Sequence, residues 1–238
     1  MLDGENQVLK TVSDLVSFIR QRGYEPGERL PSERDLTNRF SVGRGVIREA
    51  LTFLEASRYI ERRRNSGIYL SGVADQVSLE ALVLYSKLNI PLDRRTIVEC
   101  MEVRKILEVQ AMQLACERRT DADLAALKLI LANSQAAIDA GISIADLDLE
   151  FHMAIFRAGQ NDVFVRVVTP FYLMSRQRRD AFFADPRHGV DSQSHHAIMV
   201  QAIEDRDVTK AIALMNSHIG RVEDHYLTTL PDDERSIQ

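Results

Sequence analysis

Between Gln7 and Arg22 the apolar residues Val8, Leu9, Val12, Leu15, Val16 and Ile19 recur at helical spacing, and Gly23 ends the pattern. Pro26-Gly27 marks a turn. Ser32 followed three residues later by Asp35 forms a capping-box signature that opens a short helix to Phe40. A third helix begins near Val42 or Gly43, with Ile47, Ala50, Leu51 and Leu54 as its apolar stripe. Tyr59-Ile60-Glu61 and Ile68-Tyr69-Leu70 then read as two short strands around the basic run and the glycine-bearing turn Asn65-Ser66-Gly67. Three helices followed by a hairpin is the plan of a winged helix-turn-helix.

After Gly72 the pattern changes to long helical periods with almost no strand signal. Helices are predicted over about 75–90, 96–119, 121–140, 144–158, 162–181, 191–205 and 207–227, separated by breakers such as Pro91, Gly141, Gly159 and Pro186. The expected fold is therefore mainly α: an N-terminal winged helix-turn-helix (1–72), a C-terminal antiparallel all-α bundle of six or seven helices (73–230), and a polar tail (231–238).

Composition sharpens this division. The net charge of -5 argues against nucleic acid only as an average. Residues 1–72 hold 12 Lys and Arg against 10 Asp and Glu, a net of +2, and the remainder hold 18 against 25, a net of -7. Two modules with different partners are implied. Cys100 and Cys116 lie within one helical stretch, no charged-then-apolar leader precedes Val8, and no apolar run approaches the ~20 residues that span a bilayer. A reduced, cytoplasmic chain without disulfides or membrane association is expected.

In the basic module Arg44 and Arg48 are i and i+4 on the third helix, on a face away from Ile47, Leu51 and Leu54, and Arg34 sits on the second helix. Arginines so placed fork onto guanine edges or clamp phosphates; the alternative is a solvated face on which Arg48 pairs with Glu49 or Glu55. Gly43-Arg-Gly45 also raises a nucleotide loop, but no strand precedes it and no Lys-Ser/Thr follows.

The order Leu30-Pro-Ser-Glu-Arg-Asp-Leu36, Arg44, Val46-Ile-Arg-Glu-Ala-Leu51 and Ser66-Gly67 before an apolar strand resembles the DNA-binding domain of the GntR family of bacterial transcription regulators over about residues 8–71. That resemblance implies that Arg34, Arg44 and Arg48 contact double-stranded operator DNA and that Gly67 approaches the minor groove, with Asn65 and Ser66 as wing-tip contacts. Gly43 and Gly45 depart from the family, where small hydroxyl residues are usual; backbone N–H groups are left to cap the helix and meet phosphate.

All six histidines follow residue 150. Asp148 and His152 are i and i+4 on one helix, and His196 and His218 lie among apolar residues of two later ones. Three imidazoles and a carboxylate converging in a bundle suit a divalent metal (Zn, Ni or Mn) with positions open to a ligand; satisfied core or surface histidines are the plainer alternative, and His195 competes with His196. Met101-Glu-Val-Arg104-Lys-Ile-Leu-Glu108, Asp148-x-x-x-His152, His196-Ala-Ile-Met-Val-Gln-Ala-Ile203 and Met215-Asn-Ser-His218-Ile219 are similar to the FCD effector domain of the FadR subfamily, over about 75–228. The resemblance implies Asp148, His152, His196 and His218 as metal ligands and Arg104 as the residue that binds an effector carboxylate. Arg104 otherwise pairs with Glu102, Glu108 or Asp148. Asn161 matches a helix-capping Asn of the family, with a further role toward the effector.

The sequence thus reads as a non-enzymatic, ligand-responsive transcription regulator: a homodimer on a palindromic operator, controlled by a small carboxylate at a metal site. Its rivals are a metal-dependent hydrolase or lyase using the Asp/His set, and a constitutive architectural DNA-binding protein with structural histidines.

Overall fold

A computed structural model describes residues 2–71, 78–88 and 92–229. The chain forms two compact units, residues 1–92 and 93–238. In the first, α1 (Leu2–Arg22), α2 (Glu33–Phe40) and α3 (Arg44–Ala56) precede β1 (Ile60–Arg63) and β2 (Gly67–Leu70). The capping box at Ser32 forms as the sequence predicts, with Ser32 Oγ accepting from the Asp35 N–H and the Asp35 carboxylate accepting from Ser32. The strands pair antiparallel with Ile60 opposite Leu70 and Arg63 opposite Gly67. Arg62 and Arg63 therefore belong to β1, and the turn is shorter than the basic run suggested. The segment before α2 adds to the other edge of β2, with Leu30 N–H donating to Ile68 O at 2.8 Å and Leu70 N–H to Glu28 O at 2.9 Å. Val12, Leu15, Val16, Leu36, Ile47, Leu51, Leu54 and Ile60 fill the core. To these α4 (Leu79–Lys87) adds Ala81 and Tyr85, the latter edge-on to Tyr59 at 5.6 Å. The first unit consequently runs to Leu92 and not to the change of character near Gly72, because the buried face of α4 completes this core. The predicted ends of that helix, 75–77 and 89–90, and the polar tail 231–238 lie outside the described residues.

The second unit is a bundle of α5 (Arg94–Arg118), α6 (Asp121–Asp139), α7 (Ala145–Ala158), α8 (Asp162–Met174), α9 (Arg176–Phe182), α10 (Pro186–Glu204) and α11 (Val208–Thr229). α5 packs on α7 and α11, and α10 on α6 and α11, around Met112, Leu127, Phe151, Ile155, Phe156, Met199, Ile203 and Met215. Two boundaries differ from the sequence reading. Pro186 opens α10 at its first turn, capped by Asp185, and does not separate helices; its missing N–H costs nothing where no intrahelical partner exists. The predicted helix 162–181 divides at Ser175, downstream of Pro170. At that junction Tyr172 O accepts from Ser175 Oγ at 3.1 Å and from Arg179 Nη1 at 3.3 Å, so the break draws the Arg179 side chain inward.

Candidate functional site

In the first unit Arg34, Arg44 and Arg48 are all exposed. Arg44 is the first residue of α3, and Gly43 is its N-cap with no side-chain hydrogen bond. The N–H groups of that turn are therefore left without a side-chain cap. Neither Gly43 nor Gly45 is required by geometry: each has an ordinary φ, and a Cβ at either would meet open space. Arg48 pairs with Glu33 of α2 at 2.9 Å, and neither Glu49 nor Glu55 is its partner. Glu55 instead faces Arg62, whose Nη2 also donates to Arg48 O and Thr52 Oγ1, so the basic strand braces α3. The Arg48–Glu33 pair is 69% and 37% exposed, a weak, solvent-screened contact. On the wing Ser66 Oγ bonds Tyr69 Oη at 2.6 Å, and Arg63 covers the Tyr69 ring at 4.0 Å. Gly67 has φ +134°, and a Cβ there would lie 2.9 Å from Arg29 Nε. Backbone conformation and the close Arg29 side chain account for this glycine without any ligand.

The bundle brings together the four residues singled out from spacing. Asp148 and His152 project from one face of α7, His196 from α10 and His218 from α11; one candidate ligand atom from each lies within 4.8 Å of all the others, and all four are buried. The imidazole centroids are 5.4 Å (His152–His196), 5.3 Å (His152–His218) and 4.9 Å (His196–His218) apart. His196 Nε2 and His152 Nε2 lie 3.6 and 3.8 Å from Asp148 Oδ1. Phe151 stacks on the His196 ring at 3.8 Å and 13°, fixing its plane. Adjacent His195 is only half-buried, so the apolar stripe Met199, Val200, Ile203 selects His196.

Burial, then the neighbouring imidazoles and Arg221, push His196 well below the ordinary histidine range; burial, His196 and His152 do the same to His218. Both rings are held neutral, the form that binds metal. Burial raises the Asp148 carboxyl, partly opposed by His152 and Arg104. His152 Nε2 and His196 Nε2 are buried without a hydrogen-bond partner. Two orphaned imidazole nitrogens beside a carboxylate are costly in a core and are what a divalent cation satisfies. The donor set fits such an ion.

Three further residues complete this site: Glu108, named from sequence only as one possible partner of Arg104, and Tyr172 and Arg179, which the sequence did not single out. Glu108 on α5, fully buried, takes His152 Nδ1 at 2.9 Å, Arg104 Nε at 3.1 Å and the Tyr172 hydroxyl. Burial pushes its carboxyl up, but His152 and then Arg104 and Tyr172 outweigh that and hold it at about 2. Arg104 lies over the Tyr172 ring at 4.5 Å; of its three predicted partners it takes Glu108. Arg179, 6% exposed, is the third. Only the i, i+4 spacing of Arg104 and Glu108 signalled any of this; Tyr172 and Arg179 sit in a stretch with no polar periodicity. Arg104, Asp148, His152, His218, Arg179 and Tyr226 line a cavity of about 20 Å³, walled also by Phe182 and Phe183. Asn161 is elsewhere: exposed at the N-cap of α8, its Oδ1 accepts from the Val163 and Phe164 N–H groups, both at 3.1 Å, and it does not line this cavity. Its carbonyl is committed to the helix end, which corrects its assignment to the effector.

Comparison with known proteins follows this division. A model of the FCD domain matches residues 99–221, and one described as bacterial regulatory proteins, gntR family, matches residues 9–70. The chain is 29% identical over 216 residues to the HTH-type transcriptional regulator LutR of Bacillus subtilis, covering 87% of this chain and 95% of that one. It is 28% identical over 207 residues to the galactonate operon transcriptional repressor of Escherichia coli, covering 85% and 89%. Among solved structures, that of Lar, which controls expression of the Listeria monocytogenes agr system, matches in fold with a TM-score of 0.62 at 17% identity, over 93% of this chain and 97% of the other.

Proposed function

The chain belongs to the GntR family of bacterial transcription regulators, with an FCD domain as its second unit, and from that premise we propose that it binds a palindromic operator as a homodimer, under control of a small carboxylate sensed at a divalent metal centre. The observation that carries the proposal is the pair of orphaned Nε2 atoms of His152 and His196, facing Asp148 beside Arg104. Asp148, His152, His196 and His218 would hold the ion. When bound it supplies positive charge with positions open to a carboxylate oxygen. Arg104 orients the same carboxylate by a charge-assisted bond. Glu108 takes the Nδ1–H of His152 and so presents Nε2 to the site, as partners of metal-binding histidines do. Among the described residues no helix is long and apolar enough to cross a membrane.

Arg34, Arg44 and Arg48 present the cationic face for the duplex, with the bare N–H groups at the start of α3 for phosphate. The bundle exposes Val103 and Ile106 on α5 and Val163 and Val167 on the adjoining α8, apolar surface that a second copy would cover. A cavity of about 20 Å³ accommodates a single water. A carboxylic acid larger than this binds a more open bundle in preference to the closed one, and that difference in affinity is what shifts the state of the regulator. The relatives are named as transcription regulators, so the metal is read as part of a sensor and not as a catalyst.

The test combines elemental analysis, a thermal-shift panel of carboxylates and a gel shift on DNA upstream of the protein's own gene cluster. About one metal ion per chain, a shift with at least one acid, and DNA binding abolished in Arg48→Ala with the oligomeric state unchanged are expected. Absence of metal together with no thermal shift sinks the sensor, and normal DNA affinity in Arg48→Ala sinks the DNA-facing assignment.

A further inference from the structure

Arg179 is a buried cation with no direct ion pair, the nearest influence of a carboxylate being the longer-range pull of Asp148. Its Nε donates to Ala145 O at 2.9 Å, and its Nη1 to Tyr172 O at 3.3 Å and Ser175 Oγ at 3.4 Å. Among the described residues no Asp or Glu oxygen lies within 4.0 Å of it, and its Nη2 makes no hydrogen bond. A buried charge without a direct partner is expensive, and here it lines the same cavity as Arg104 and the metal-ligand set. Arg104 and Arg179 bring two guanidinium groups to one cavity, and a divalent ion held by the ligand set would add to that positive charge. Half-buried Arg178, beside Tyr226 and Cys100, adds to the same sign. The two guanidinium groups are also separate: Tyr172 carries Arg104 over its ring and holds Arg179 by its main-chain carbonyl.

We propose that the effector is a dianion with its charges on two separate groups, a short dicarboxylic acid, and that Nη2 of Arg179 receives the carboxylate distal to the metal and Arg104. This rests on the carboxylate-sensing reading above. Arg179 is then the residue that sets specificity for a second acidic group. A phosphomonoester, which concentrates both charges on one group, is the contrasting dianion.

The experiment titrates the full-length zinc-loaded protein calorimetrically with succinate, glutarate and adipate, each against its own monoamide, and with phenyl phosphate. Charge-assisted hydrogen bonds predict that the best diacid binds about ten- to a hundredfold more tightly than its monoamide. In Arg179→Gln that ratio falls to about one, with zinc content and monoamide affinity unchanged, whereas Arg179→Lys retains a preference for the diacid. If Arg179→Gln fails to fold, the wild-type ratio and Arg179→Lys decide. Equal affinity for diacid and monoamide in the wild type, an undiminished ratio in folded Arg179→Gln, loss of preference in folded Arg179→Lys, or binding of phenyl phosphate alone overturns the proposal. Equal binding of mono- and diacids leaves carboxylate sensing intact, whereas no binding by any acid overturns that reading as well.

Discussion

Replacing Glu108 by Gln separates the proposed metal-supporting role of this residue from simple packing, because the side chain keeps its shape and loses its charge. In the native site one fully buried carboxylate accepts from Arg104 Nε at 3.1 Å, His152 Nδ1 at 2.9 Å and the Tyr172 hydroxyl. A glutamine offers one carbonyl oxygen and turns an NH2 group toward at least one of these donors. The Arg104 guanidinium, only 15% exposed, is left without its counter-charge. Removing one partner of such a pair costs about 3–5 kcal/mol. At ~2–4 °C per kcal/mol for a unit of this size, the melting of the bundle falls by roughly 6–20 °C. With Nδ1 of His152 no longer bound by a carboxylate, zinc affinity falls by about 10–100-fold. Chelator competition for zinc and thermal unfolding of the metal-free protein measure the two effects independently. Unchanged zinc affinity in a folded Glu108→Gln protein refutes the inference that Glu108 orients His152, and unchanged melting refutes the argument from buried charge.

His196→Ala loses zinc while His195→Ala retains it, measured by metal content after dialysis; the reverse result moves the ligand by one residue. For the metal-free protein, the folded-state values of His196 and His218 lie below the ordinary 6.5, so on acidification the unfolded chain takes up protons first. Stability is therefore full above about pH 6.5 and falls below it, by up to about 1.4 kcal/mol per pH unit for each histidine. Urea unfolding of chelator-treated protein across that range checks this, and a flat profile contradicts it. Gly67→Ala, at φ +134° and with Arg29 in the way, weakens the first unit by about 1–3 kcal/mol without changing metal content; a melting curve identical to wild type shows that the wing relaxes freely.

Features set by local chemistry were legible in the sequence. The Ser32/Asp35 capping box, the stripe of α3 and the wing follow from short-range spacing. Asp148 and His152 share a face because they are one turn apart, and the apolar residues after His196 settle the choice over His195. What depends on meetings between distant segments was not legible. Periodicity shows that α4 has an apolar face, but not that Tyr85 lies against Tyr59 in the first unit. Glu108 and His152 meet across 44 residues, and Arg104 and Tyr172 across 68. Arg48 bonds Glu33 of the preceding helix, a pairing set by the packing of α2 on α3 that no i, i+4 rule could find. Pro186 signals a break by residue type, but its position in the first turn makes it a helix start.

The size of the chamber beside the metal-ligand set also fixes a clock. If an acid binds there as proposed, a chamber with space for one water must first widen, and Phe182, Phe183 and Tyr226 are among the residues that would have to move. As acid concentration rises, the observed rate of response then climbs only to a plateau equal to the frequency of opening. Substitutions at those residues alter how fast the regulator answers while the metal, Arg104 and the DNA-facing arginines stay the same. Two regulators with the same anchors and the same affinity can therefore keep different time.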